Sequence, residues 1–267
     1  MNFRGSVCAV SLFCAAALAD LPNAAANAAE APAASISNIL EKARAVNQDL
    51  SAALKAFVCH EEIQRFKGSL TGETGGRIDT ITATLSFENG TERYSEIKQN
   101  SLFRRSISSL TGAWSEGEFG TLLLQTQQLL AIQNVEFQAF AEVNGTRTAI
   151  YRFNVSESDS PWELDVGGGH YNIPFRTEVW IAVQTGEILK IERTSISVPA
   201  ATLISQVEWS VELQRVDLNG KQWLLPMTSA YAVTYEQSNR KEWNIMNFSD
   251  YRRYGSQVAL RFDNFQQ

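Results

Sequence analysis

The 267-residue chain has little of what most enzymes are built around: three cysteines, two histidines and six prolines. Two of the cysteines, Cys8 and Cys14, fall within the first fourteen residues. If that stretch is removed, Cys59 is the only thiol left, no internal disulfide can form, and a buried small apolar role suits it. One thiol and two histidines are too few for a structural zinc site, so no metal and no cofactor is expected. His60-Glu61-Glu62-Ile63-Gln64 begins like a zinc-protease helix but lacks the second histidine one turn on. Cys59 and His60 are adjacent on a strand and point to opposite faces, so they cannot act as nucleophile and base together. His170 could meet Cys59 only through space, with no third partner at a recognisable spacing. Gly167-Gly168-Gly169 lacks the lysine and helix of a phosphate cradle and reads as a loop between strands. Carboxylate pairs such as Glu61-Glu62, or Glu208 with Glu212, suit the wet face of a strand better than a glycosidase couple. No catalytic set is expected, and the chain is read as not an enzyme.

Basic residues are also scarce. The chain has 23 lysines and arginines against 29 acidic residues, a formal charge of −6, and no basic cluster. That argues against nucleic acid and against anionic membrane surfaces. No long apolar run follows the N-terminus, so an integral membrane protein is not expected. At the start, Arg4, the apolar stretch Val7 to Leu18 and the small-x-small Ala17-Leu18-Ala19 read as a signal peptide over 1–19, cleaved before Asp20. Ala26-Asn27-Ala28 offers a second small-residue site, and Phe13 before Cys14 speaks against lipidation. Residues 20–34, rich in alanine with asparagine and proline, read as a flexible leader. A single domain over 35–267 then remains, exported to the periplasm or beyond.

What the chain has in abundance is alternation. Val207, Trp209, Val211 and Leu213 alternate with Glu208, Ser210, Glu212 and Gln214. Ile81, Ala83, Leu85 and Phe87 alternate with threonine and serine, and Val135, Phe137, Ala139, Ala141 and Val143 with mainly polar residues. Successive strand side chains point to opposite faces, so each run is a strand with one dry and one wet face. Asn144-Gly145, Gln184-Thr185-Gly186 and Asn219-Gly220 mark hairpin turns, as does Glu88-Asn89-Gly90-Thr91. Pattern counting yields about ten or eleven strands, with a break near Pro226. Ile36, Ile39, Leu40, Ala43, Val46, Leu50, Leu54 and Phe57 form one helical stripe, with Asn38 and Glu41 placed as a helix start. A second helix is expected from Glu118 to Ala131, with Leu122 and Leu123 on its apolar face. The fold class is α+β: a large curved antiparallel sheet, an open half-barrel, whose concave face is covered by an N-terminal amphipathic helix and a mid-chain helix.

This order of elements behind a signal peptide resembles the periplasmic lipoprotein-carrier superfamily, the lipoprotein localisation factors A and B and the related sigma-factor regulator. One segment is similar in detail: Ile97 to Arg105 contains the Phe103-Arg104 pair of the carriers' Phe-Arg-aromatic strand. It departs at Gln99-Asn100-Ser101, which stand in place of Arg-Pro-Gly, and at Arg105 in place of the aromatic. The arginine linked to cargo release would fall on Gln99. The resemblance implies a half-barrel that holds acyl chains in its concave face. The expected partner is an apolar ligand, lipid or lipoprotein acyl chains, with an envelope protein as a further candidate. From the dry phase of each strand and the lid helix, the ligand-lining candidates are Ile81, Leu85, Leu122, Leu123, Phe137, Val179, Ile181, Val207, Trp209, Val211 and Leu213. Trp180 lies in the opposite phase from Val179 and Ile181 and is expected on the convex side. The alternatives are a structural or sensor protein with its hollow filled by its own side chains, and a small outer-membrane barrel, which the two helices oppose.

Overall fold

Alternation of dry and wet side chains dictates one covered face, and the strands assemble around it. The computed structural model describes residues 33–46, 57–70, 75–88, 91–235 and 239–253. The expected signal peptide, most of the leader and the Glu88–Thr91 turn residues 89 and 90 lie outside them. Helix α1 (Ala33–Val46) is followed by β1 (Phe57–Ser69), β2 (Gly75–Glu88), β3 (Thr91–Gln99) and β4 (Leu102–Phe103). Helix α2 (Thr121–Ile132) leads into β5 (Glu136–Val143), β6 (Thr146–Val155), β7 (Glu163–Val166) and β8 (Gly169–Asn172). Then follow β9 (Phe175–Ala182), β10 (Ile188–Ser195), β11 (Ile204–Leu218), β12 (Lys221–Tyr235) and β13 (Arg240–Arg253).

Eleven strands form one open antiparallel sheet in the order β4-β3-β2-β1-β13-β12-β11-β10-β9-β6-β5, and β7-β8 make a separate hairpin between β6 and β9. The fold class read from the sequence is the one observed. Both residues of the Asn144-Gly145 and Asn219-Gly220 turns take positive φ, the geometry that matches strand twist in two-residue hairpins.

Several boundaries differ from the pattern reading. Helix α1 begins at Ala33 rather than near Asn38, inside the expected leader, and Phe57 belongs to β1, where it is fully buried opposite Arg253. Residues 47–56 lie outside the description. Strand β12 runs unbroken through Pro226, because the register shifts between Glu212 and Leu213 beside it and relieves the ladder of the missing proline N–H. In β5 a bulge between Phe137 and Ala139 reverses the phase: Ala139 is exposed, and Phe140 turns to meet Phe137 with ring centroids 5.0 Å apart. The glycine-rich loop at 167–168 is the tip of the β7-β8 hairpin, which the alternation did not reveal.

The apolar core is continuous. Cys59, Ile81, Leu85, Phe87, Val179, Ile181, Val207, Val211, Leu213, Met246 and Phe248 from the sheet meet Leu122, Leu123, Leu129 and Leu130 of α2. Ile39 and Ala43 of α1 join them, and the Tyr151 hydroxyl donates to the Ile36 carbonyl at 2.6 Å. Arg44 donates to the Leu130 carbonyl at 3.0 Å, which joins the two helices. Trp180 lies outside this cluster, on the other face, with the Lys190 ammonium 5.0 Å from its ring.

Two ionised groups interrupt the dry face. Arg65 and Asp79 are both buried; Nε donates to Oδ1 at 2.7 Å and Nη2 to Oδ2 at 2.5 Å, while Nη1 donates to the Thr111 carbonyl at 2.6 Å. Gln99 adds a bond to Asp79 and accepts one from Arg104, so the residue at the carriers' arginine position is part of this anchor. Burial acts to raise the Asp79 carboxyl, but hydrogen bonds from Arg65 and Gln99 and the Arg65 charge hold it below its usual range. Asp79→Asn keeps the shape and leaves the guanidinium buried without its counter-charge. It is expected to cost about 3–5 kcal/mol in urea unfolding.

Candidate functional site

Covering an eleven-strand sheet with helices of fourteen and twelve residues leaves part of the face without a helix over it. There the chain forms a cavity of about 680 Å³. Its floor is Arg193 of β10, Ile204 and Trp209 of β11, and Tyr231, Val233 and Tyr235 of β12. Its roof is the irregular segment Gly112 to Glu118 with Thr121, Leu122 and Gln125 of α2, and its side is Pro161 to Gly167, reaching into the β7-β8 hairpin. The walls are rich in aromatic rings: Trp114, Trp162, Trp209, Tyr231 and Tyr235.

Of the residues expected to line a hollow, Leu122 and Trp209 line this one. Ile81, Leu85, Leu123, Val179, Ile181, Val207, Val211 and Leu213 are buried in the packed core beneath it, and Phe137 lies half-buried on the edge strand β5. The dry phase of each strand marks the covered face, whereas the open part of that face depends on where the lid segment stops.

The lid is placed by a carboxylate. Glu92 of β3 accepts from the backbone N–H groups of Phe119 and Gly120 at 2.9 Å, Gly117 at 3.0 Å and Thr121 at 3.5 Å, and from the Tyr94 hydroxyl at 2.9 Å. Gly120 is the N-cap and Thr121 the first residue of α2, donors that the helix leaves unsatisfied and where its dipole favours an anion; Gly117 and Phe119 lie in the segment that leads into it. Close approach here requires Gly120, since a Cβ at that position would sit 2.8 Å from the Phe87 ring.

Glu118, also buried, lies beside it. Its Oε1 accepts from Ser115 Oγ and from Trp209 Nε1 at 3.2 Å, while Oε2 has no partner. Burial, and next the Glu92 charge, push its carboxyl up to about 7. Burial also pushes Glu92 above its usual range. Five donors nonetheless make Glu92 the better home for the negative charge, and the partnerless Oε2 makes Glu118 the better home for the proton. Glu61 on β1 is a third buried carboxyl with a partnerless oxygen, raised well above its usual range by burial and by the charges of Glu118 and Glu92.

Arg193 lies on the far side of the cavity and is 3 % exposed. Nη1 donates to Gln125 Oε1 at 2.9 Å, Nη2 makes a long 3.4 Å contact to Thr126 Oγ1, and Nε has no partner. Its guanidinium lies 4.5 Å from the centre of the Phe175 ring. Burial lowers its pKa to about 9.

Cys59 is fully buried and its thiol is pushed up, first by burial and then by Glu61 and Glu92. His170 is exposed on β8, where Nδ1 lies 2.5 Å from Asp165 and 2.9 Å from Glu163. The Asp165 hydrogen bond raises its pKa. These three side chains bring possible metal-ligand atoms within 4.8 Å of one another, a grouping the sequence reading did not foresee. Glu208 pairs with Lys241 at 3.1 Å and Glu212 with Lys190 at 3.6 Å, so this carboxylate pair belongs to cross-strand ion pairs.

Sequence reasoning missed Glu92, Glu118 and Arg193. Arg193 carried a readable signal, because it shares a phase with Ile191 on β10. Glu61 likewise shares a phase with Cys59 and Ile63. Residues 112–118 have no periodicity to read.

No protein-family model matches the chain, and no curated protein matches its sequence. Among solved structures the chain is similar to a DUF1329 family protein from Desulfovibrio piger, at 12% identity and a TM-score of 0.41, over 84% of this chain and 95% of that one. It is similar to a putative outer membrane lipoprotein-sorting protein domain from Vibrio parahaemolyticus, at 12% identity and a TM-score of 0.37, over 82% and 94%. Mycobacterium tuberculosis lipoprotein LppX is a third, at 14% identity and a TM-score of 0.28, over 80% and 95%. The functional reading rests on the cavity.

The buried acid makes stability depend on pH. Glu118 titrates near 4.5 when unfolded and about 7 when folded, so its contribution is fully present below pH 4.5 and lost as pH rises through 7. The loss is on the order of 3 kcal/mol. Thermal melts across that range should show wild-type stability falling, and Glu118→Gln should flatten the fall.

Proposed function

We propose that the protein is a non-catalytic binding or carrier protein for an apolar or amphiphilic ligand, held between the sheet and the lid segment. The carrying observation is the aromatic-walled cavity of about 680 Å³ beneath α2. Pockets that take one small ligand span roughly 300–1,000 Å³ and are lined mainly by apolar and aromatic side chains with a few polar groups. Acyl chains suit the walls, and the volume suits one small amphiphile.

Export to the periplasm is part of this proposal and is supported by Arg4, the apolar stretch Val7 to Leu18 and Ala17-Leu18-Ala19. N-terminal sequencing of the protein from the periplasmic fraction is expected to begin near Asp20; an uncleaved chain in the membrane pellet refutes it. An envelope protein as partner remains compatible with the resemblance.

A second reading is a structural or sensor protein of the same fold, and the tight packing of Ile81, Leu85, Val179, Val207 and Val211 favours it. A neutral apolar dye, N-phenyl-1-naphthylamine, separates the two. The carrier binds it with enhanced emission, and Leu122→Gln weakens binding about ten-fold or more, since a buried leucine contributes about 1.5–3 kcal/mol. No uptake by wild type leaves the second reading.

A further inference from the structure

Arg193 lines the cavity as a buried cation without a counter-ion. Among the described residues no carboxylate is ion-paired with Arg193, and two of the five guanidinium N–H donors are engaged, both by neutral side chains. A buried cation in this state is costly, and a charge taken out of water is ordinarily paired. The carboxyls around the same space have another escape: a proton can neutralise Glu118, whose Oε2 has no partner, and the start of α2 stabilises Glu92. A guanidinium that titrates near 9 stays charged at neutral pH. Glu116, Glu163 and Asp165 also line the cavity: Glu163 and Asp165 are exposed and meet His170, burial and then the Glu92 charge raise the Glu116 carboxyl, and Arg193 is the buried cation of the lining.

We propose that the ligand is an amphiphile with an anionic oxygen head group, a carboxylate or a phosphate, received by the free donors of Arg193 while its apolar part lies against Trp209, Tyr231, Val233 and Leu122. This rests on the carrier reading and narrows its ligand class. Carboxylate and phosphate oxygens match the forked donors of arginine, and such charge-assisted bonds are about twice as strong as neutral ones. The guanidinium lies over the Phe175 ring, 4.5 Å from its centre, and Gln125 holds one end, so the fork is set before the ligand arrives. Arg193 lines the cavity, and its Nε–H is a buried donor without a partner.

A merely structural Arg193 would pin α2 to β10 through Gln125 and Thr126 and have no preference among ligands. The test compares a dansyl-tagged fatty acid with its methyl ester, at a pH above the ordinary carboxyl range of the probe and below the arginine's about 9. The acid is expected to bind wild type about ten-fold or more tightly than the ester, from the strength of hydrogen bonds to charged groups. Arg193→Gln should bring that ratio to about one. A monoalkyl phosphate that displaces the acid as well as a fatty acid does places phosphate heads in the class; one that does not restricts it to carboxylates.

If wild type binds acid and ester alike, the inference falls and the carrier reading stands. If it binds neither, both fall. Should Arg193→Gln fail to fold, Arg193→Lys keeps the charge and loses the fork, and the preference should shrink to a few-fold; an undiminished preference in that variant overturns the assignment to this side chain.

Discussion

A single carboxylate sets the height of the lid. Glu92 projects from β3 and takes the backbone N–H groups of Gly120 and Thr121, which α2 cannot satisfy internally, together with those of Gly117 and Phe119 in the segment before it. That attachment fixes the start of α2 against Phe87, and the irregular segment before it has to arch over the floor strands instead of packing onto them. The cavity is the space under that arch. Its position depends on the reach of a glutamate side chain and on a glycine small enough to touch a phenylalanine ring.

The same constraint organises the charges. Burial drives Glu118 and Glu61 toward their neutral forms, and the nearby Glu92 anion adds to it, because like charges in a dry region oppose each other. One side of the cavity thus disposes of its charge by hydrogen bonding and protonation. The other side has Arg193, which keeps its charge with only the neutral partners Gln125 and Thr126. The asymmetry follows from the chemistry of the two groups, since a carboxyl can give up its charge near neutral pH and a guanidinium does not.

How much of this was readable in the chain depends on period. The sheet was legible because β11 and β2 keep strict two-residue alternation, and the hairpins because Asn-Gly pairs adopt the positive φ that such turns need. The lid helix was legible from its leucines. Bulges were not: the reversal at Phe137 and the passage of β12 through Pro226 depend on pairing across strands, which a single run does not display. The site was half legible. Trp209 and Leu122 stand in the apolar phases of their elements, as Arg193 does in its own, but a charge in an apolar phase announces itself only once that face is known to be covered. Glu92 and Glu118 owe their roles to the 112–120 segment, where no local pattern forecasts the tertiary path.

The strand order has a consequence for how the chain reaches this state. Strands β1 to β4 pair with near neighbours in sequence, and so do β5 through β13 apart from the inserted hairpin, yet the two groups join only where β1 lies beside β13. That seam links residues near position 60 to residues near 250, the most distant pairing in the sheet. Closing so long a loop is entropically slow, and sheets dominated by distant contacts fold late. Until β13 is available, both groups carry an open central edge with the apolar residues of β1 uncovered. A ribosome, or a translocation channel, that releases β13 after the other described strands therefore leaves the central edge open until then, and that edge needs protection from pairing with other chains during the interval.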